Sequence, residues 1–129
     1  MKDLNWKDDL STTDQRRLLN SACGDLSDNL KWHGFRLSKN DWRHLISGTI
    51  LGWRQFPGVD RGEGNAAGFI MLGGSSLDLS RKQCIEAIEL CFLIGDLPEG
   101  QGIDSEPVRW GPVVCGARWL AEDMQHQVN

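Results

Sequence analysis

The sequence predicts a mostly helical α+β fold with one small β-hairpin, in a single domain over residues 1–129. Three observations carry that prediction. Apolar residues recur at helical spacing in separate stretches of the chain. Hydroxyl residues followed three positions later by Gln or Asp stand before three of those stretches, as Thr12–Gln15, Ser38–Asp41 and Ser80–Gln83. One short run, Gly68-Phe69-Ile70-Met71-Leu72, reads as a strand and is followed by a Gly73-Gly74-Ser75 turn. A chain of 129 residues is enough for one hydrophobic core and too short for two.

Taken in order, residues 1–12 form a polar leader in which Leu4, Trp6 and Leu10 alternate weakly, as a brief strand or an arm would. A first helix follows from Thr13 to Trp32. Leu18, Ala22, Leu26 and Leu30 recur every fourth residue and share one face. Thr12 or Thr13 caps its start, and Gly34 supplies the stop. A second helix starts at the Ser38 cap, with Leu37 stapled onto Trp42. It carries the stripe Trp42, Leu45, Ile46, Thr49, Ile50 and Trp53 and ends at Pro57. The short link from Gly34 to Leu37 makes the two helices neighbours.

Residues 57–67 are a glycine-rich surface loop without the lysine and hydroxyl of a phosphate-cradling loop. The strand 68–72 then pairs with Ser76–Leu79 as a hairpin. Ser80 caps a third helix whose apolar face is Cys84, Ile85, Ile88, Cys91 and Phe92, with Gly95 as its stop. Residues 96–107 are a loop. A last helical stretch covers Val108 to about Met124, kinked or split by Gly111-Pro112.

Composition narrows the function classes. An apolar fraction of 40% with 25% charged residues is that of an ordinary globular protein, so a disordered or membrane-embedded chain is excluded. No apolar run approaches the roughly 20 residues that a bilayer needs. The start, Met-Lys-Asp-Leu-Asn-Trp, has no apolar core of a secretory signal, which places the protein in a cytoplasm. Cys23, Cys84, Cys91 and Cys115 lack zinc-site spacing and read as small core hydrophobes.

Charge is unevenly placed. Residues 31–61 hold six bases (Lys31, Arg36, Lys39, Arg43, Arg54 and Arg61) against Asp41 and Asp60, although the whole chain has a net charge of −4. A basic segment in an acidic protein is either a polyanion-binding surface or a set of solvated helix faces.

The run Asp14-Gln15-Arg16-Arg17-Leu18, Gly24-Asp25-Leu26-Ser27 and Trp32-His33-Gly34 resembles the phage NinB (Orf) family of recombination proteins. The resemblance continues through Leu37 to Trp42, Phe69-Ile70-Met71-Leu72-Gly73-Gly74-Ser75, the acids Glu86 and Glu89, and Ala117-Arg118-Trp119. It spans roughly residues 12–120 in order and spacing. Asn20 stands where the family carries an aromatic, Asp78 stands where a base would help an anionic ligand, and the leader is shorter. The resemblance implies a recombination mediator that binds single-stranded DNA, acts with the host single-strand-binding protein in a bacterial cell, and assists a recombinase or annealing protein. It also implies an intertwined homodimeric ring with a central cavity, and no cofactor.

The candidate DNA-binding residues are Gln15, Arg16, Arg17, Lys31, Trp32, His33, Arg36, Lys39, Arg43 and Arg54. Arg16 and Arg17 in the first turns of a helix oppose its dipole; they are either surface arginines or phosphate contacts beside free helix amides. Lys31, Trp32, His33 and Arg36 combine bases with a flat ring, the pairing that single-strand binders use. Trp32 is either a core residue or a stacking platform, and His33 either steadies the link or meets a phosphate. Trp42 reads as core. Trp53 stays open between core and loop. Arg43 is the stronger candidate of the Arg43–His44 pair.

A metal-dependent nuclease is the enzymatic alternative. Asp14, His33, Asp41, His44 and Glu63 are its available acids and imidazoles, but no motif fixes their spacing. An adaptor that binds a host protein without touching DNA is the third class.

Overall fold

The structure, a computed structural model, describes residues 6–8, 10–64, 68–73 and 79–118; for Trp53 and residues 69–73 it describes the backbone. The first helix, α1, is Thr12–Asn29. Its N-cap is Ser11 rather than either threonine, with Ser11 Oγ accepting from the Asp14 amide at 3.1 Å. The hydroxyl one residue earlier reaches that amide from an extended backbone, which frees Thr12 and Thr13 to enter the helix. Leu18, Leu19, Ala22, Cys23 and Leu26 are buried, and Leu30 just beyond the end is 3% exposed.

The helix stops three residues short of the expected Trp32, and Gly34 is not its cap. Leu30 is already extended (φ −122°, ψ 149°). Trp32 and Phe35 exchange both backbone hydrogen bonds, at 2.8 and 2.9 Å, across His33 and Gly34. Those two residues have φ of 46° and 89°. Positive φ at both central positions is the signature of a type I′ hairpin turn, which histidine tolerates and glycine favours.

The second helix, α2, is Lys39–Leu51 and has the expected capping box: Ser38 and Asp41 bond each other's backbone amides. It ends at Gly52 (φ 91°), not at Pro57. The five residues after it are β1, Trp53–Pro57, paired antiparallel with β2, Phe69–Gly73, from Trp53↔Gly73 to Pro57↔Phe69. The single hairpin is therefore present, but its first strand lies before the glycine-rich loop instead of after β2. Residues 74–78, with most of the expected partner strand, lie outside the described residues.

The third helix, α3, is Arg81–Asp96, capped by the reciprocal Ser80–Gln83 pair. A 3₁₀ turn at Pro98–Gln101 follows. The last helix, α4, begins at residue 112 and is described to 118. Pro112 opens it, so of the two expected outcomes the stretch is broken there and not kinked: the first helical position needs no amide hydrogen, and proline's fixed φ suits it. The segment expected as its first turn, 108–111, is not helical.

The helices α1, α2 and α3 pack on one another, and β2 touches α2. Trp42, Ile46, Ile88 and Cys91 are within 1% of complete burial at the centre. Cys23 and Cys84 are buried there too, whereas Cys115 is exposed on α4, against the expectation for it. The thiols of Cys23 and Cys91 lie 3.9 Å apart. The hydrogen bond with Cys23, with burial adding to it, pushes the Cys91 thiol well up.

Residues near both limits of the described chain close over this core. Trp6 meets Phe92 edge to face, with centroids 5.8 Å apart. Phe92 meets Trp110 in the same way at 5.5 Å. The Asp96 carboxylate accepts two bonds from Arg118, at 2.9 and 2.8 Å, and one from Trp110 Nε1 at 2.9 Å. Across the molecule, the Asp25 carboxylate accepts the Gly111 amide at 2.8 Å and so caps α4 from α1. The acid of the Gly24-Asp25 motif is thus spent on holding the C-terminal helix. The described helices include none long and apolar enough to cross a membrane.

Candidate nucleic-acid interface

The ten expected contacts fall into three places. Gln15 is not at the surface. Its side chain is fully buried, with Nε2 donating to the backbone oxygens of Lys7 at 3.0 Å and Trp6 at 3.3 Å. This corrects its assignment as a DNA contact: the amide tethers the leader to α1 and is out of reach of a ligand.

Arg16 is half-buried and donates to the Leu79 oxygen at 3.2 Å, tying α1 to the entry of α3. Burial pushes the Cys84 thiol up, and the Arg16 guanidinium opposes it. Arg17 is exposed and lies 3.7 Å from Asp14 on the same helix. Both arginines sit at the start of α1, roughly 20 Å along its axis from the turn beyond its end, at 1.5 Å of rise per residue. Arg54 is on β1, with its guanidinium 5.7 Å from the Phe56 ring.

The remaining residues gather around the α1–α2 link. Trp32 is half-buried and packs edge to face on the fully buried Trp42, with centroids 5.7 Å apart. That contact joins one edge of the ring to the core, and the rest of the ring is partly open to solvent. His33 and Gly34 form the turn, and Ser27 Oγ donates to the Leu37 oxygen at 2.8 Å, fixing the strand that leaves it.

Lys31, Arg36 and Lys39 are exposed, and among the described residues none of them has an ion pair or hydrogen bond. Lys39 runs along α1, with Cδ beside Gly24. Arg43, one turn further, is half-buried, and its Nη1 reaches Asn40 Oδ1 at 3.4 Å. The single acid among residues 31–43 is Asp41, whose carboxylate is engaged in capping α2. The link is therefore a small cationic surface built on a rigid turn. Lys31 also benefits from standing just past the negative end of α1.

Beside the turn lies a cavity of about 530 Å³, with Asn29, Lys31, His33 and Gly34 on one wall and residues 102–105 on the other. The ring that the sequence reading missed is Phe35. It is 70% exposed on the far side of the turn from Trp32 in the chain. The His33-Gly34 pair signals the two-residue turn, but nothing local sets the exposure of the ring that follows it.

The acids and imidazoles considered for a nuclease are not drawn together. Among the described residues, no three side chains of His, Cys, Asp or Glu gather closely enough to hold a metal ion. Glu89, one of the two acids in the resemblance on α3, meets Lys7 at 2.7 Å on the surface.

Residues 4–96, from the leader to the end of α3, match the family model described as NinB protein. No curated protein matches the chain. A solved structure of NinB from structural genomics is similar in fold, with a TM-score of 0.61 at 22% identity over 81% of this chain and 69% of that one. A match over most of the length, together with the DQ, GD and WHG blocks in their expected order, shows that the chain belongs to the NinB family of phage recombination-related proteins.

Proposed function

We propose that this protein binds single-stranded DNA at the α1–α2 link and serves as a recombination mediator. In this reading it assists the loading of a recombinase or annealing protein, together with the host single-strand-binding protein. It acts as a homodimer in the bacterial cytoplasm and has no catalysis of its own. The observation that carries the reading is the group Lys31, Arg36 and Lys39, exposed and unpaired among the described residues, in an otherwise acidic chain. Phosphates release counterions when they meet such a group, so affinity is largely independent of sequence and falls as salt rises.

The test is a titration of an unstructured labelled oligonucleotide at low and at physiological salt. Tight binding at low salt that weakens steeply is the expected result. No binding at low salt removes the reading. Strand cleavage with magnesium, abolished by chelator, would favour the nuclease alternative.

A protein-adaptor role has one observation of its own. Between α2 and α3, Thr49, Ile50, Leu90 and Leu93 line an apolar groove edged by Glu86 and Glu89. Retention on host single-strand-binding protein without DNA affinity would favour that role over DNA binding.

A further inference from the structure

The turn in the α1–α2 link holds one aromatic ring out in solvent. Phe35 is 70% exposed, while its hairpin partner Trp32 is half-buried against Trp42. The backbone at the base of the ring is held in place. Both central residues have positive φ, and both hydrogen bonds between Trp32 and Phe35 are made. Three cations lie close in the chain: Lys31 before the turn, Arg36 immediately after the ring, and Lys39 at the start of α2.

A single exposed ring is ordinary on a protein surface, and it is the cations around this one that give the site a chemistry. A hydrocarbon surface laid on this ring would strip water from nearby charges without pairing them, which is costly. A nucleotide strand answers both features at once: its phosphates match the cations, and its base presents a flat π-face to the phenyl. In a duplex that face is already stacked on its neighbours. Only an unpaired base is free to meet the ring.

We propose that Phe35 is the base-stacking residue of this surface and that it selects single strands over duplex. The inference rests on the single-stranded DNA reading given above and adds a division of labour to it. Lys31, Arg36 and Lys39 hold phosphates of any strand; Phe35 distinguishes strands whose bases are free.

Three ligands separate these roles: a labelled oligothymidylate, a chain of abasic sites with the same number of phosphates, and a duplex of equal length. Wild-type protein should prefer the oligothymidylate to both others. Phe35→Ala should weaken its binding about tenfold, the effect of losing one stacked base. The same variant should leave affinity for the abasic chain and the salt dependence unchanged. Phe35→Trp should keep the preference, because it keeps a π-face.

Equal affinity of wild type and Phe35→Ala for oligothymidylate would overturn the stacking role and leave the DNA reading standing. Absence of wild-type binding at low salt would remove the DNA reading and this inference with it. Sedimentation of both proteins covers the competing occupant: if Phe35→Ala splits an oligomer that wild type forms, and DNA affinity merely follows that change, the ring is a subunit contact and the proposal fails. An exposed phenyl contributes little to folding, and a circular dichroism melt of the variant that matches wild type confirms that affinity is being compared between folded proteins.

Discussion

Ser47 sits on the buried face of α2 with no exposure, and among the described residues its hydroxyl has no hydrogen-bond partner. An unsatisfied hydroxyl in the interior costs free energy, and alanine is also the better helix former. Ser47→Ala is therefore expected to raise stability by about 1 kcal/mol, read as a higher urea midpoint with an unchanged slope. Gly95 behaves in the opposite sense. A Cβ there would run into the Trp110 ring, which lies directly on the α3 backbone. Gly95→Ala should cost about 1–3 kcal/mol by overpacking, measured in the same unfolding experiment. At this scale the motif residues divide cleanly. Gln15 and Asp25 serve the fold through buried or cross-molecule hydrogen bonds, whereas Lys31, Arg36 and Lys39 are left to the solvent.

Among the elements, the C-terminal segment depends on carboxylates to stay in place. Asp25 caps α4, and Asp96 holds Trp110 and Arg118 against the end of α3. The Arg118 guanidinium also lies 4.6 Å from the Phe92 ring, so one side chain joins the charged clamp to the aromatic stack. Burial pushes the Asp96 carboxyl up, but the hydrogen bonds from Arg118 and Trp110 together outweigh it and leave it below the usual carboxylate range. Because the folded value lies below the unfolded one, the clamp contributes fully above the unfolded carboxyl value of about 3.9 and is lost as pH falls through the folded value. Asp96→Asn should lower stability at neutral pH and flatten its fall in acid. Urea midpoints measured at neutral pH and through the acid range would show both effects. The family match ends at residue 96, so the clamp joins the matched region to the segment beyond it.

For the molecule as a whole, the distribution of charge matters more than its sum. The net charge is −4, so a polyanion is repelled by most of the surface and attracted at the link. Reversing Arg36 and Lys39 together, as Arg36→Glu with Lys39→Glu, should abolish DNA binding at physiological salt and leave the thermal midpoint nearly unchanged. Neutralising one of them should reduce the slope of log affinity against log salt by about 0.7, one single-strand phosphate. Arg16 and Arg17 are the control: they lie at the other end of α1, and replacing the exposed Arg17 should leave affinity at the link unaffected.

The sequence by itself determined the local elements. The capping boxes at Ser38 and Ser80 and the four-residue spacing of Leu18, Ala22, Leu26 and Leu30 depend on neighbours in the chain, and all are present in the structure. The motif blocks likewise led to the NinB family. Tertiary structure decided whatever depends on partners far along the chain. The strand Trp53–Pro57 reads as the end of a helix because Trp53 continues the α2 stripe; it becomes a strand only when Gly52 breaks the helix and β2 pairs with it. Gln15 looks like a surface polar residue until the Lys7 and Trp6 carbonyls accept from it in the interior, and the edge of Trp32 meets Trp42 only in the packed molecule. Phe35 had no local signal apart from the turn before it. Capping and periodicity act over three or four residues and are written in the chain, whereas burial and exposure are properties of the packed molecule and are fixed only when distant segments meet.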